Sequence, residues 1–399
     1  MANALLTIDK ITNEAVRLWK NSNAFLQNID RQYDDQFGNA GGKIGSSLRI
    51  RLPNDYTVRT GAALAVQDTT EQKTTLTIAT QKGVDIAFSS AERVLSLDDY
   101  SERVLAPAIN NLAGNVAADI ISGSEAINNF NGKFDGSGNL QTPDASTWLG
   151  AGALLDQTSA PRAGRKILVD PLTQARTVSS LAGLFNPVAG ISKQYASGAM
   201  QNALGFDWLM DQTVVKHTTG AYGTLATVAG ANQTGTAITV SALNGPLNKG
   251  DVISFAGVNS VNRITKTSNG TPAQFTVTAN VAGGATSIPI YPALTPGAVV
   301  YQTVDVSPAN GAAITVVTKA STVYRKNFVY LPQAATMATA DLELPKGVHE
   351  AARAHYDGTS LRMVTAYDIN TDRLITRLDI LYGYLWVRPE WACVVPDII

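Results

Sequence analysis

The chain has 399 residues, room for two or three domains at roughly 100 to 200 residues each. Its 31 Lys and Arg nearly cancel its 32 Asp and Glu, which argues against a dedicated nucleic-acid binder, because neutralising phosphate calls for a basic excess. One cysteine, Cys393, excludes an intramolecular disulfide, and charged residues at 16% against the usual ~25% point to a mildly polar surface that neighbours could cover.

No apolar run approaches the ~20 residues of a membrane span, so no membrane partner is expected. The opening residues, from Met1 to Lys10, lack a basic n-region and an unbroken apolar stretch. Synthesis in a cytoplasm is the expectation.

Residues 4–30 carry Leu5, Ile8, Ile11, Ala15, Leu18, Trp19, Phe25, Leu26 and Ile29 at helical spacing, with Lys10, Glu14, Arg17 and Lys20 opposite. Two readings stand side by side: a helix packed on its own domain, or an arm reaching a neighbouring subunit. Gly38-Asn-Ala-Gly-Gly42 then breaks the pattern. Residues 43–90 read as extended chain. Ser47 to Pro53 and Thr74 to Ala79 alternate strictly, Val84, Ile86 and Phe88 repeat the pattern, and Asn54 to Gln72 is polar. A long hairpin with a solvated tip follows, and because an isolated hairpin is marginal in water, it should lie on something.

The best helix is predicted over 96–125. Ser96 can cap it, Asp98, Asp99 and Glu102 suit its N-terminal dipole, and Gly123 ends it. Leu97, Tyr100, Val104, Leu105, Ile109, Leu112, Val116 and Ile120 trace one face, and Pro107 predicts a kink or two abutting helices. After a Gly/Asn/Asp/Ser-rich loop at 126–145, residues 146–217 read as mixed. They hold a helix around Trp148 to Thr158, a buried strand at Lys166 to Val169, a helix after Asp170-Pro171, and strand-like pieces from Trp208 to Val215. Residues 221–318 turn rich in Thr, Val, Gly, Ala and Asn. Short strands are predicted at Thr236–Ser241, Asp251–Phe255, Gln274–Thr278 and Thr286–Tyr291, with turns at Asn244-Gly245, Asn269-Gly270 and Gly283-Gly284. A small inserted sandwich or barrel is the natural form. Residues 322–399 return to mixed character and complete the earlier domain.

The end of the chain carries Tyr382-Gly383, then Arg388-Pro389-Glu390, then a short apolar strand. Together with Leu204-Gly-Phe-Asp-Trp208, Thr213 to Gly220 and Lys249 to Val258, in that order, it resembles the coat-protein family of short-tailed enterobacterial phages that carries an inserted β-domain. The resemblance covers essentially the whole chain. It implies an α+β fold of the kind named after the capsid of phage Hong Kong 97: an N-arm at 1–42, an extended hairpin loop at 43–90, a peripheral domain with a spine helix at 91–145, an axial domain at 146–220, an inserted β-domain at 221–318 and a C-terminal return at 319–399. It also implies a major capsid protein of a tailed double-stranded DNA phage, whose partners are itself as hexamers and pentamers, a scaffolding protein, a portal protein, non-specifically held DNA and possible decoration protein. Its place would be the virion. Covalent cross-linking is not implied, since no Lys, Asn and Glu trio can be matched.

Motifs that would carry chemistry fall short. His349-Glu-Ala-Ala-Arg-Ala-His355 has Arg353 where a zinc-protease helix needs its second His, so solvated histidines are the better reading. Gly38 to Lys43 is one residue short of a phosphate loop, and Ile44 replaces the magnesium-binding hydroxyl; a flexible joint accounts for it. In Asp135-Gly-Ser-Gly-Asn139 the calcium-loop glycine is Leu140 and the bidentate Glu is Ser146, leaving a turn. Cys393 in an apolar strand reads as a buried thiol. With three His in the chain, Ser-His-Asp machinery has little to draw on. The expectation is therefore no catalytic, cofactor or metal residues and no enzyme activity. Two rivals remain: an encapsulin-type compartment shell that encloses cargo protein, and a β-rich adhesin or phage tail component.

Overall fold

The longest strand, β22 (Arg373–Trp386), organises one part of the molecule. In this computed structural model the described residues are 8–31, 47–64, 66–69, 71–89, 101–181, 200, 202–297, 299–369 and 373–399. The chain forms two units: Met1–Leu52 with Lys73–Ile120 and Ala335–Val387, and Pro53–Gln72 with Ile121–Ala334 and Arg388–Ile399.

In the first unit β22 pairs with β3 (Thr80–Ser89) from Arg373↔Ser89 to Tyr382↔Thr80. It also pairs with β21 (Thr359–Asp368) and then β19 (Ala335–Ala340). Because Tyr382 pairs with both Thr80 and Thr339, β3 and β19 lie on opposite edges of β22. β20 (Glu350–Tyr356) closes the sheet against β21. Residues 322–399, expected to be mixed, are strands joined by turns and by short 3-10 helices at Pro332–Ala334 and Pro389–Trp391 among the described residues.

Helix α1 (Ile8–Ser22) packs on β20 and β21 of its own chain. Thr12, Ala15, Val16 and Trp19 on its apolar stripe are buried there. The reading of this helix as an arm that finds its cover on a neighbour is thereby corrected: its stripe is already covered. The hairpin forms as expected, β1 (Ser47–Arg51) against β2 (Lys73–Thr77) in the register Ile50↔Thr74 and Leu48↔Leu76. Its apolar face is closed within the unit too. Ile50, Leu76 and Ile78 pack with Ala340, Leu381 and Val387, because alternation puts all their side chains on one face and that face meets the end of the long sheet. The segment with Val84 and Ile86 leaves the hairpin altogether and becomes β3.

The spine helix starts as a π-helical turn at Ser101–Leu105, which abuts α2 (Ala106–Ser122). Pro107 stands at the junction between the π-helical turn and α2, two abutting helical pieces as expected. Ser96 to Tyr100 lie outside the described residues. The continuous helical stretch Arg103–Ala126 is, by length and apolarity, sufficient to cross a membrane, contrary to the expectation that no segment is. Its Leu105, Ile109, Leu112, Val116 and Ile120 are buried within the protein.

In the second unit a seven-stranded sheet runs in the order β4 (Asn129–Phe130), β23 (Ala392–Ile398), β18 (Val323–Tyr330), β7 (Lys166–Val169), β9 (Phe206–Met210), β8 (Asn202–Ala203), with β10 (Lys216–Thr218) also on β18. Helix α3 (Ala145–Gln157) is capped by Asp144, whose Oδ1 accepts from Thr147 N at 3.0 Å. It buries Trp148, Ala151 and Leu155 against Ile167, Trp208, Val329 and Cys393. The Trp148 and Trp208 rings meet edge to face at 5.0 Å. Helix α4 (Pro171–Leu181) is tied to the last strand through Thr173 Oγ1, which donates to Asp397 Oδ2 at 2.9 Å. The loop at 126–145 contains a two-stranded piece, β5 (Lys133–Phe134) with β6 (Leu140–Gln141).

Between β10 and β18 the chain builds a separate β assembly. Five strands lie in the order β11 (Gly235–Thr239), β16 (Ser287–Leu294), β15 (Phe275–Val277), β12 (Val252–Phe255), β17 (Ile314–Val316), with β13 (Asn259–Val261) and β14 (Ser268–Pro272) as a hairpin beside them. Their core is their own: Val228, Ile238, Leu247, Ile253, Phe255, Phe275, Ile288 and Val304 cluster within this segment. The chain leaves at Thr218 and returns at Val323, and these two residues are direct register partners.

Candidate assembly surfaces

The residues singled out for chemistry are not brought together. His349 precedes β20 and His355 lies in it, on a strand rather than a helix. His355 Nε2 sits 2.6 Å from Asp341 Oδ1, which also accepts from Ser360 Oγ at 2.6 Å, and Arg353 pairs with the other oxygen at 3.1 Å. His355 is thus hydrogen-bonded to Asp341 as well as partly exposed to solvent. The carboxylate stands between the serine and the histidine, so no Ser-to-His hydrogen bond can form as nucleophilic catalysis requires. Asp135 makes a turn, its Oδ1 accepting from Ser137 N and Asn139 N at 2.8 Å each. Cys393 is fully buried, and burial pushes its thiol pKa up, away from the reactive thiolate. Gly38 to Lys43 lie outside the described residues, among which no group of three potential metal-binding side chains stands together.

The motifs near the end of the chain have structural causes. Gly383 sits where β22 passes beneath the end of β2. A Cβ there would collide with the Thr77 carbonyl oxygen and lie 3.0 Å from Ile78 Cα. Tyr382 donates its hydroxyl to Asp119, which Lys82 also pairs at 2.7 Å. Further on, the Arg388 guanidinium lies 4.1 Å over the Trp391 ring. Pro389 opens a 3-10 turn. The Glu390 carbonyl accepts from Asn129 Nδ2 at 2.9 Å and Thr158 Oγ1 at 3.0 Å, while its carboxylate takes the Tyr291 hydroxyl at 3.3 Å and faces Arg263 Nη1 at 3.7 Å. Burial and this carboxylate together hold the Tyr291 phenol protonated well above its ordinary range.

At the root of the β assembly, His217 Nε2 lies 2.8 Å from the buried Asp251 Oδ1. The other oxygen accepts from Asn248 N at 2.8 Å and Gly220 N at 3.1 Å. Tyr324 and Lys326 on β18 share the face that His217 meets, the Tyr324 and His217 rings being 5.3 Å apart. Lys326 is fully buried, and its Nζ has no hydrogen-bond partner among the described residues. Burial is the main cause that brings its pKa down to about 8.

A cavity of about 870 Å³ in the same unit is lined by Asn128, Gln157, Gln274, Tyr291, Arg263 and Asp55. Some of its polar groups are spent on one another: Gln274 takes Phe130 N at 2.7 Å and gives to Phe130 O at 2.9 Å. Arg263 Nε donates to Asp55 Oδ2 at 2.7 Å.

A different surface is open. The loop at 53–72 exposes Val58 (88%), Leu64 (83%), Val66 (82%) and, by more than half, Tyr56. The two sides of the loop are clipped together by one pair of residues. Thr57 N donates to Gln67 Oε1 at 2.9 Å, and Gln67 Nε2 donates to Thr57 O at 2.6 Å. The clip joins the two sides of the loop and leaves these apolar residues exposed.

Residues 27–395 match the family model described as P22 coat protein, gene protein 5. The chain belongs to the P22 coat protein family. It is a major capsid protein of a tailed phage, and the family implies a structural role in the virion capsid. No curated protein matches the chain. Similar solved structures include Mycobacterium phage Che8, at 13% identity over 94% of this chain and 90% of that one, with a TM-score of 0.48. The capsid of Ralstonia phage GP4 is 7% identical over 89% and 84%, with a TM-score of 0.45. The CUS-3 coat protein I-domain is 31% identical over 24% of this chain and 98% of its own, with a TM-score of 0.20.

Proposed function

We propose that many copies of this coat-family chain tile an icosahedral shell of hexamers and pentamers around double-stranded DNA, with the Hong Kong 97 type of fold. The exposed apolar loop at 53–72 carries the reading. A subunit that closes its helix and hairpin base on itself, yet leaves Val58, Leu64 and Val66 in water, has one surface that further copies must cover. Shell stability then comes from repetition: each modest contact is held by several others at once.

Residues 221–318 serve as an inserted β-domain. Its separate core and the adjacency of Thr218 and Val323 support this. The remaining parts follow the division into arm (1–42), hairpin loop (43–90), peripheral domain with spine helix (91–145), axial domain (146–220) and C-terminal return (319–399), with helix α1 serving its own subunit. Scaffolding and portal proteins assist assembly in the bacterial cytoplasm, the enclosed DNA is held without sequence preference, and a decoration protein is a possible addition to the finished shell. The chain turns over no substrate. Negative-stain electron microscopy of the purified full-length chain, alone and with its helper proteins, is expected to show closed shells. A sample that stays strictly monomeric under both conditions overturns the proposal.

A further inference from the structure

The contact between Asp55 and Arg263 ties the loop at 53–72 to the β assembly. Asp55 follows Pro53 and Asn54 at the start of the 53–72 loop, and Arg263 sits between β13 and β14 of the β assembly. Their side chains are partly exposed, at 25% and 31%, so the pair is held only weakly in water. Arg263 also has a second carboxylate in view, Glu390 at 3.7 Å. It therefore does not become an uncompensated buried cation when Asp55 departs.

We propose that Asp55 and Arg263 form an exchangeable clasp: in the free subunit Arg263 holds the loop of its own chain, and in the shell it holds Asp55 of a neighbouring copy. This rests on the capsid reading above. The driving force is apolar. Val58, Leu64 and Val66 gain cover only by moving onto a second copy, and the loop that carries them carries Asp55 along. Every copy that gives up its own Asp55 receives one from the next, so the number of ion pairs is unchanged while apolar surface is removed from water. Exchange of an identical element between protomers has little net polar cost for this reason. The complementarity is between one carboxylate and one guanidinium, which names the occupant: the loop of a second copy of this chain. The Thr57–Gln67 clip travels within the loop and keeps its shape during the move.

The test uses full-length Arg263→Lys, which keeps the cation and allows a carbodiimide to couple the introduced amine to the Asp55 carboxylate as an amide. Light and nitrogen-15-labelled chains are mixed in equal amounts, then treated either as free subunits or after shell formation, and the linked 55–263 peptides are weighed. Free subunits are expected to give only light–light and heavy–heavy links. Shells are expected to give mixed links as about half of the total. Absence of mixed links in shells overturns the exchange, and absence of any 55–263 link in free subunits overturns the clasp. If Arg263→Lys does not fold, Asp55→Cys with Arg263→Cys and a short bismaleimide gives the same readout, since the native thiol at Cys393 is buried and unreactive. Failure of the unmodified chain to form shells would instead contradict the capsid reading, so the two failures are distinguishable.

Discussion

The base and the loop of one hairpin solve opposite problems. At the base, Ile50, Leu76 and Ile78 are buried against Ala340, Leu381 and Val387 of the same chain. In the loop, Val58, Leu64 and Val66 are left in solvent. The same alternating pattern thus supports subunit stability in one place and, on the proposed function, association in another. The lesson is that an apolar face states only that it needs cover; whose atoms supply the cover depends on what stands opposite.

The sharpest way to break this contrast is at the base. Leu76→Asp with Ile78→Asp places two carboxylates in a closed apolar cluster and is expected to destabilise the subunit by at least about 4 kcal/mol, enough to lose soluble protein. Thermal melting checks it, and a near-normal melt with failed assembly would return the base to the intersubunit class. Trp19→Ala should act the same way on helix α1, at about 3–5 kcal/mol, because its indole is buried on the subunit's own sheet.

A closed interior can also hold a group that weakens it. Lys326→Met is expected to stabilise by about 1–3 kcal/mol near neutral pH, since it replaces a buried amine that lacks a hydrogen-bond partner among the described residues. The sign with pH follows from a folded pKa of about 8, below the ordinary 10.5. Below pH 8 both folded and unfolded chains hold the proton, and the deficit is full. Between about 8 and 10.5 the unfolded chain holds more protons, so the wild type gains on the variant as pH rises. Denaturant melts of both proteins across that window check it. Gly383→Ala should cost about 1–3 kcal/mol through its collision with Thr77. The smallest effect on stability belongs to the loop. Val58→Ser, Leu64→Ser and Val66→Ser together should shift stability by no more than about 0.5 kcal/mol, yet abolish shells in electron micrographs.

Much of the second unit is legible in the sequence because its elements follow simple periodicities. The strand at Lys166–Val169 and the short strands around Val252–Phe255 and Phe275–Val277 stand close to where the pattern puts them. The long sheet is not legible in this way. From Leu378 to Leu381 in β22 and through most of β19, consecutive residues are buried on both faces, which erases the alternation that marks a strand. Glu350–Tyr356 carries three alanines, residues that favour helix, and its pairing with β21 overrides that preference. Helix α1 is visible as an amphipathic stripe, but periodicity does not say which chain covers it. The loop reads as polar because Tyr56, Val58, Leu64 and Val66 are spread among polar residues. The meeting of Asp55, Arg263 and Glu390 leaves no local trace, since the three come from distant parts of the chain.

The side-by-side placement of Thr218 and Val323 has a practical consequence. Entry and exit of the intervening segment are one strand spacing apart, so a short turn could join them without stretching the sheet that remains. On the inserted-domain proposal, the segment would behave as a cassette, and a foreign module with closely spaced ends could be grafted in its place.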